Sequence, residues 1–230
     1  MLQRNYQEVK ENIRKACERV NRKESEVTLI AVSKTKPLSD IEEVLAGGCI
    51  DFGENKVQEL CDKEEKISRP VNWHLIGHLQ TNKVKYIVHK AALIHSVDSY
   101  KLAQEIEKEA AKKGVVANVL IQVNIAGEDT KFGVSKEETE PLIRKISTMK
   151  NVKIKGLMTI APFVEDPEEN RVHFRNMHQL FIDIKEKNID NVDMEILSMG
   201  MTGDYEVAVE EGATMVRVGT GIFGARNYNI

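Results

Sequence analysis

The sequence predicts a single (β/α)8 barrel of the TIM type with an extra helix at its N-terminus, and three observations predict it. Eight short apolar, β-branched runs recur along the 230 residues. Charge-rich segments with helical spacing separate them. No linker, low-complexity tract or shift in composition divides the chain, so residues 1–230 read as one domain. A barrel of this kind has typically ~250 residues, with a lower end near ~200. A doubly wound open sheet uses the same alternation and is the architectural alternative.

The runs cover residues 27–33, 50–53, 71–76, 93–97, 117–123, 153–160, 194–198 and 215–219. Each is nearly continuously apolar, the pattern of a strand buried on both faces of a parallel sheet. The segments between them carry helix signals. Residues 39–46 have Ser39 as N-cap, Glu42 as its capping-box partner and Gly47-Gly48 as a stop. Residues 99–113 place Leu102, Ala103, Ile106 and Ala110 on one face and end at Gly114. Residues 135–149 open with Ser135 and Glu138, but Pro141 moves the expected helix start toward Thr139. Residues 166–187 form the longest helix, with Pro167 in its first turn.

Composition excludes several function classes. The 33 basic and 36 acidic residues nearly balance, which gives no electrostatic argument for nucleic acid or an anionic membrane. The first twenty residues are charged throughout and lack the apolar core of a secretory signal, and no apolar run reaches the ~18 residues that span a bilayer. Cys17, Cys49 and Cys61 are far apart and form no CxxC pair, so a reducing cytoplasm is expected. No symmetric apolar stripe argues for a dimer, and a monomer is expected.

In a barrel, function sits at the C-terminal ends of the strands. Lys34 directly follows the first apolar run, where desolvation favours the neutral amine that attacks carbonyls. A solvated lysine at a strand end is the plainer alternative. Asn55 follows the second run and suits either a ligand contact or an N-cap. His74 and His78 flank the end of the third, but no HExxH pattern or further ligand accompanies them, so no metal site is expected. The other histidines, His89, His95, His173 and His178, form no evident cluster. The last two runs continue as SMGMTGD (198–204) and RVGTGIFG (217–224), both rich in glycine and hydroxyls. Such loops can cradle phosphate, and in TIM barrels the recurrent phosphate site follows strands 7 and 8; two ordinary βα turns are the plainer alternative. Arg217 lies inside an apolar strand and requires an acceptor there: a pyridine nitrogen, a phosphate, a carboxylate, or a structural ion-pair partner.

With these features in place the sequence resembles the pyridoxal phosphate homeostasis protein family, small relatives of the alanine racemase N-terminal barrel. The resemblance rests on LIAVSKTKP (29–37), FGENKVQE (52–59), WHLIGHLQTNK (73–83), VNIAGEDTKFG (123–133), GLMTIAP (156–162) and LSMGMTGDYEVAVEEGATMVRVGTGIFG (197–224). It implies that Lys34 forms a Schiff base with pyridoxal 5'-phosphate. It further implies that Ser198, Gly200, Gly219 and Thr220 hold the phosphate, that Arg217 faces the pyridine nitrogen, and that Asn55 lines the ring. The function it implies is storage, protection or delivery of the cofactor, with pyridoxal-phosphate-dependent apoenzymes as candidate recipients.

Chemistry agrees with that restraint. A ring nitrogen facing Arg217 acts as acceptor and stays unprotonated, which weakens the ring as an electron sink. The chain ends at Ile230, a few residues after its last strand, so the second domain that supplies racemases with acid–base groups is expected to be absent. A racemase or lyase acting on amino acids is the enzymatic alternative. A sugar-phosphate enzyme would use the same phosphate loops but would not need Lys34.

Overall fold

The computed structural model describes residues 1–128 and 131–225; Asp129 and Thr130, which belong to the motif at 123–133, lie outside the described residues. Eight parallel strands close on themselves in chain order: β1 (Thr28–Val32), β2 (Asp51–Glu54), β3 (Asn72–Leu75), β4 (Leu93–Val97), β5 (Ala117–Gln122), β6 (Val152–Met158), β7 (Val192–Met201) and β8 (Met215–Val218). β8 returns to β1, pairing Arg217 with Ile30 and Val218 with Ala31. The open-sheet alternative is thereby excluded.

Helices alternate with the strands. α1 (Leu2–Arg19) precedes the barrel, and α2 (Leu38–Ala46), α3 (Val57–Lys66), α4 (Val84–Ile87) and α5 (Tyr100–Lys113) follow the first four strands. α6 (Lys136–Ile146), α7 (Arg171–Glu186), α8 (Tyr205–Glu210) and α9 (Thr220–Phe223) follow the others. The expected N-terminal helix is present. Its Tyr6, Val9, Ile13, Ala16 and Cys17 recur at helical spacing and are buried, and the helix packs on α2, α8 and α9. Among the described residues no helix is long and apolar enough to cross a membrane.

Several element boundaries differ from expectation. The helix expected at 166–187 opens as a 3-10 turn over Pro167–Asn170, so α7 starts at Arg171 and is shorter than α1. Ser39 is not a cap: α2 starts at Leu38 behind the extended Pro37, which places Ser39 already inside the first turn. α6 starts at Lys136, not Thr139. Ser135 accepts from the Glu138 amide at 3.2 Å while Glu138 takes the Ser135 amide, and this capping box offsets the single backbone bond that Pro141 removes. β7 runs three residues beyond Ser198 to Met201, so Ser198 sits within the barrel wall and not at its mouth.

Strand residues alternate between two surfaces. Outward side chains such as Phe52, Trp73, Val119, Leu197 and Val216 join the core beneath the helices, and inward ones such as Ile30, Leu120, Met158 and Met215 fill the barrel. At β8 this alternation points Val216 and Val218 outward and Arg217 inward.

Candidate functional site

A cavity of about 690 Å³ opens at the C-terminal ends of the strands. Lys34, Asn55, Arg217, Gly219 and Thr220 line it, which brings together five of the seven residues singled out from the sequence. Ser198 and Gly200 do not line it. Ser198 is fully buried below Arg217. Gly200 has φ +91, and a Cβ there would come within 2.6 Å of the Ala208 Cβ, so this glycine lets β7 turn closely against α8.

Lys34 is half-buried, and its two neighbours are both clamped. Ser33 donates through Oγ to Glu54 Oε1 at 2.5 Å, and its carbonyl accepts from Lys63 Nζ at 2.8 Å. On the other side the Thr35 amide donates to Glu59 Oε1 at 2.5 Å. Thr35 has φ +64, a left-handed conformation that costs a β-branched residue roughly 1–2 kcal/mol. The Glu59 contact offsets that strain. Lys63 joins the two halves of the clamp, donating to Glu54 at 2.8 Å and Glu59 at 2.7 Å. Burial pushes the Glu54 carboxyl up, and the Lys63 charge opposes this. Lys36, the other lysine of this loop, is committed elsewhere, with its amine donating to the Phe223 carbonyl at 2.9 Å.

Arg217 is buried at the floor of the cavity. Its Nη1 donates to Ser198 Oγ at 2.6 Å and its Nη2 to the Thr159 carbonyl at 2.8 Å. Among the described residues it makes no ion pair with a carboxylate. Burial pushes the guanidinium down to about 10, with the charge of Asp204 acting in the opposite sense. A buried cation held only by neutral acceptors favours an electron-rich partner at the cavity wall.

The loop after β7 supplies polar groups that residue-type reasoning passed over. Thr202 Oγ1 accepts from the Gly219 amide at 3.2 Å and so ties the β7 and β8 loops together at the mouth. Asp204 takes the Met201 amide at 2.7 Å and the Asn170 side chain at 2.8 Å, which fixes the turn that carries Thr202 and Gly203. Both Thr202 and Asp204 lie in the 197–224 motif, and the signal that could have singled out Thr202 was its position one residue past the true strand end. Gly77 serves Asn55: a Cβ there would lie 2.2 Å from the Asn55 carbonyl.

Three of the six histidines fall in two places. His78 stacks on Phe132 at the mouth, with ring centres 4.0 Å apart. His74 lies deep in the barrel and contacts His95, Nδ1 to Nε2, at 3.0 Å. His95 therefore does belong to a cluster, contrary to expectation, because strand register and not sequence spacing brings the two rings together. Among the described residues no group of three or more potential ligands could hold a metal ion.

Residues 5–227 match the family described as alanine racemase, N-terminal domain. The pyridoxal phosphate homeostasis protein of Aquifex aeolicus (strain VF5) is 48% identical over 221 residues, 96% of each chain. A solved structure of an unknown protein from Bifidobacterium adolescentis superposes with TM-score 0.92 at 33% identity, covering 96% of this chain and 94% of that one. PipY of Synechococcus elongatus PCC7942, solved with PLP bound, superposes with TM-score 0.80 at 35% identity, covering 86% of this chain and 93% of that one.

Proposed function

Because this chain belongs to the pyridoxal phosphate homeostasis proteins, within the family of the alanine racemase N-terminal domain, we propose that it binds pyridoxal 5'-phosphate, as a Schiff base on Lys34, and stores, protects or delivers it. The observation that carries this reading is the pairing of Lys34 with a buried, carboxylate-free Arg217 on one cavity wall. An amine and a buried cation held by neutral acceptors, lining one cavity, are what this ligand would engage together.

The residues present fit the group. A cavity of about 690 Å³ is within the usual range for small ligands. The chemistry supplied there is an aldehyde that captures amines and an aromatic ring that can take up electrons. Lys34 would hold the aldehyde end through Nζ. Arg217 donates toward the ring nitrogen. Thr202, Gly219 and Thr220 offer hydroxyls and backbone amides to the phosphate. Ser198 and Gly200 then act at one remove, Ser198 by supporting Arg217 and Gly200 by shaping the turn. Asn55 borders the ring.

Arg217 can donate a proton to a hydrogen bond but cannot release one to the ring at neutral pH. Its place favours retention of the cofactor over carbanion chemistry, which supports a carrier over a racemase or lyase. In this reading residues 1–230 act as one domain and as a monomer, in the cytoplasm, where the three free cysteines are compatible with reducing conditions. Pyridoxal-phosphate-dependent apoenzymes are the proposed recipients.

The test is optical. Protein incubated with pyridoxal phosphate is expected to turn yellow, with a visible band that borohydride abolishes. A colourless protein that retains no cofactor would contradict the reading and favour a sugar-phosphate enzyme.

A further inference from the structure

The barrel interior is apolar for the most part, but a file of polar side chains crosses it. Asp51 on β2 accepts from His74 on β3 at 3.0 Å, His74 meets His95 on β4 at 3.0 Å, and His95 Nδ1 meets Ser198 Oγ on β7 at 3.1 Å. Ser198 in turn accepts from Arg217 on β8 at 2.6 Å. His95 and Ser198 are fully buried, and His74 and Arg217 are 4% exposed. Five strands thus contribute one residue each to a line that starts at Asp51, the first residue of β2, and ends at the cavity.

The chemistry of the ends sets the direction of every bond. A carboxylate only accepts, so His74 donates to Asp51 through Nε2. A neutral His74 then has a bare Nδ1, and His95 must donate to it through Nε2. Neutral His95 is left with a bare Nδ1, which takes the Ser198 hydroxyl proton. Burial, with His74 and Arg217 adding to it, holds His95 well below the ordinary histidine range and so keeps it neutral. From the other end, a guanidinium only donates, so Ser198 accepts from Arg217. Both ends agree on one direction, with each group donating one step toward Asp51.

We propose that Asp51, His74, His95 and Ser198 form a one-way hydrogen-bond relay that holds Arg217 in place as a donor to the cavity, with His95 and Ser198 as its positioning residues. The role toward a bound ring rests on the pyridoxal phosphate reading; the relay itself does not. Because each proton already points away from the cavity, the relay has none to pass upward. It anchors the guanidinium through a neutral hydroxyl. A carboxylate in contact would compete with the ligand, and Asp51 ends the file away from the guanidinium.

The experiment uses protein labelled with ¹⁵N-histidine, free of cofactor at pH 7.5. The relay predicts that both His74 and His95 carry their proton on Nε2 and have a bare Nδ1. A proton on Nδ1 of either ring, or on both nitrogens of His74, overturns it. In Ser198→Ala, His95 is expected to lose its single tautomer, and pyridoxal phosphate to bind about tenfold more weakly, as loss of a charged hydrogen bond implies. The visible band of the loaded protein is expected to shift. Ser198→Thr, which keeps the hydroxyl, should restore tautomer and band. Unchanged tautomer, affinity and band in a folded Ser198→Ala protein overturn the positioning role. Wild-type protein that takes up no pyridoxal phosphate overturns the functional reading instead, and the histidine tautomers still decide the relay.

Discussion

The guanidinium of Arg217 rests on the hydroxyl of Ser198, with Nη1 donating to Oγ at 2.6 Å and both groups buried. That contact buries Ser198 beneath Arg217, and the proposed phosphate site then falls to the next loop. The strand continues to Met201, and the first hydroxyl at the mouth is Thr202.

Thr202→Val is therefore expected to weaken binding of pyridoxal phosphate by roughly tenfold, the value of one charge-assisted hydrogen bond. Binding of pyridoxal, which lacks the phosphate, should change little. Titration of the visible band with each ligand measures both. Equal losses for the two would show that Thr202 shapes the loop without reading the phosphate.

The clamp around Lys34 predicts a stability effect. Lys63 and Glu54 are a buried pair at 2.8 Å, and Lys63→Met leaves the carboxylate without its cation. The cost is on the order of 3 kcal/mol, read as a lower urea midpoint. Adding Glu54→Gln to Lys63→Met should recover part of it, since the uncompensated charge is gone. A double variant less stable than the single one would contradict the account.

A pH effect follows from His95. Its folded-state affinity for a proton is depressed by burial, then by His74 and Arg217, while in the unfolded chain it titrates near ~6.5. Below that pH the unfolded state binds a proton that the folded state refuses, so stability falls as pH drops from ~6.5 toward the folded value. Glu54, whose carboxyl burial pushes up, acts with the opposite sign but is common to wild type and a His95→Gln variant. The stability advantage of wild type over His95→Gln should accordingly shrink between pH 7.5 and 5. Parallel urea midpoints across that range would show that His95 is not held neutral.

Much of this was legible in the sequence. Lys34 and Arg217 stood out because each is a charged residue against an apolar strand, a placement that burial makes costly without a purpose. Strand count and order followed from uninterrupted apolar runs such as those ending at Val97 and Gly219. Ser198 was misplaced because polarity marks a strand end only when the inward face is apolar. Here the inward face carries Ser198 and Arg217, so the run seemed to stop early. The His74–His95 contact had no local signal at all: the residues are 21 positions apart and meet only through the parallel pairing of β3 with β4. The clamp of Glu54, Glu59 and Lys63 was equally hidden, since Glu59 and Lys63 on the charge-rich α3 read as solvated and nothing local joins them to Glu54 at the end of β2.

The electronics of the ring give a kinetic expectation. With Arg217 as donor, amino acids added to the loaded protein should shift its spectrum through exchange at Lys34 but lose their α-proton slowly. Incubation with L-amino acids in deuterated water, followed by NMR, should show little α-deuterium and no product. Sustained turnover on the order of 1 per second or more would favour the racemase or lyase alternative.

The most direct test of the central claim is the site of covalent attachment. Protein loaded with pyridoxal phosphate is reduced with borohydride, digested and mapped by mass spectrometry, alongside a Lys34→Ala variant whose fold is checked by its urea midpoint. The account predicts a single reduced adduct on Lys34 and none in the variant, with a midpoint close to wild type. An adduct on Lys36, whose amine is occupied by the Phe223 carbonyl, or an undiminished adduct in Lys34→Ala, would contradict it.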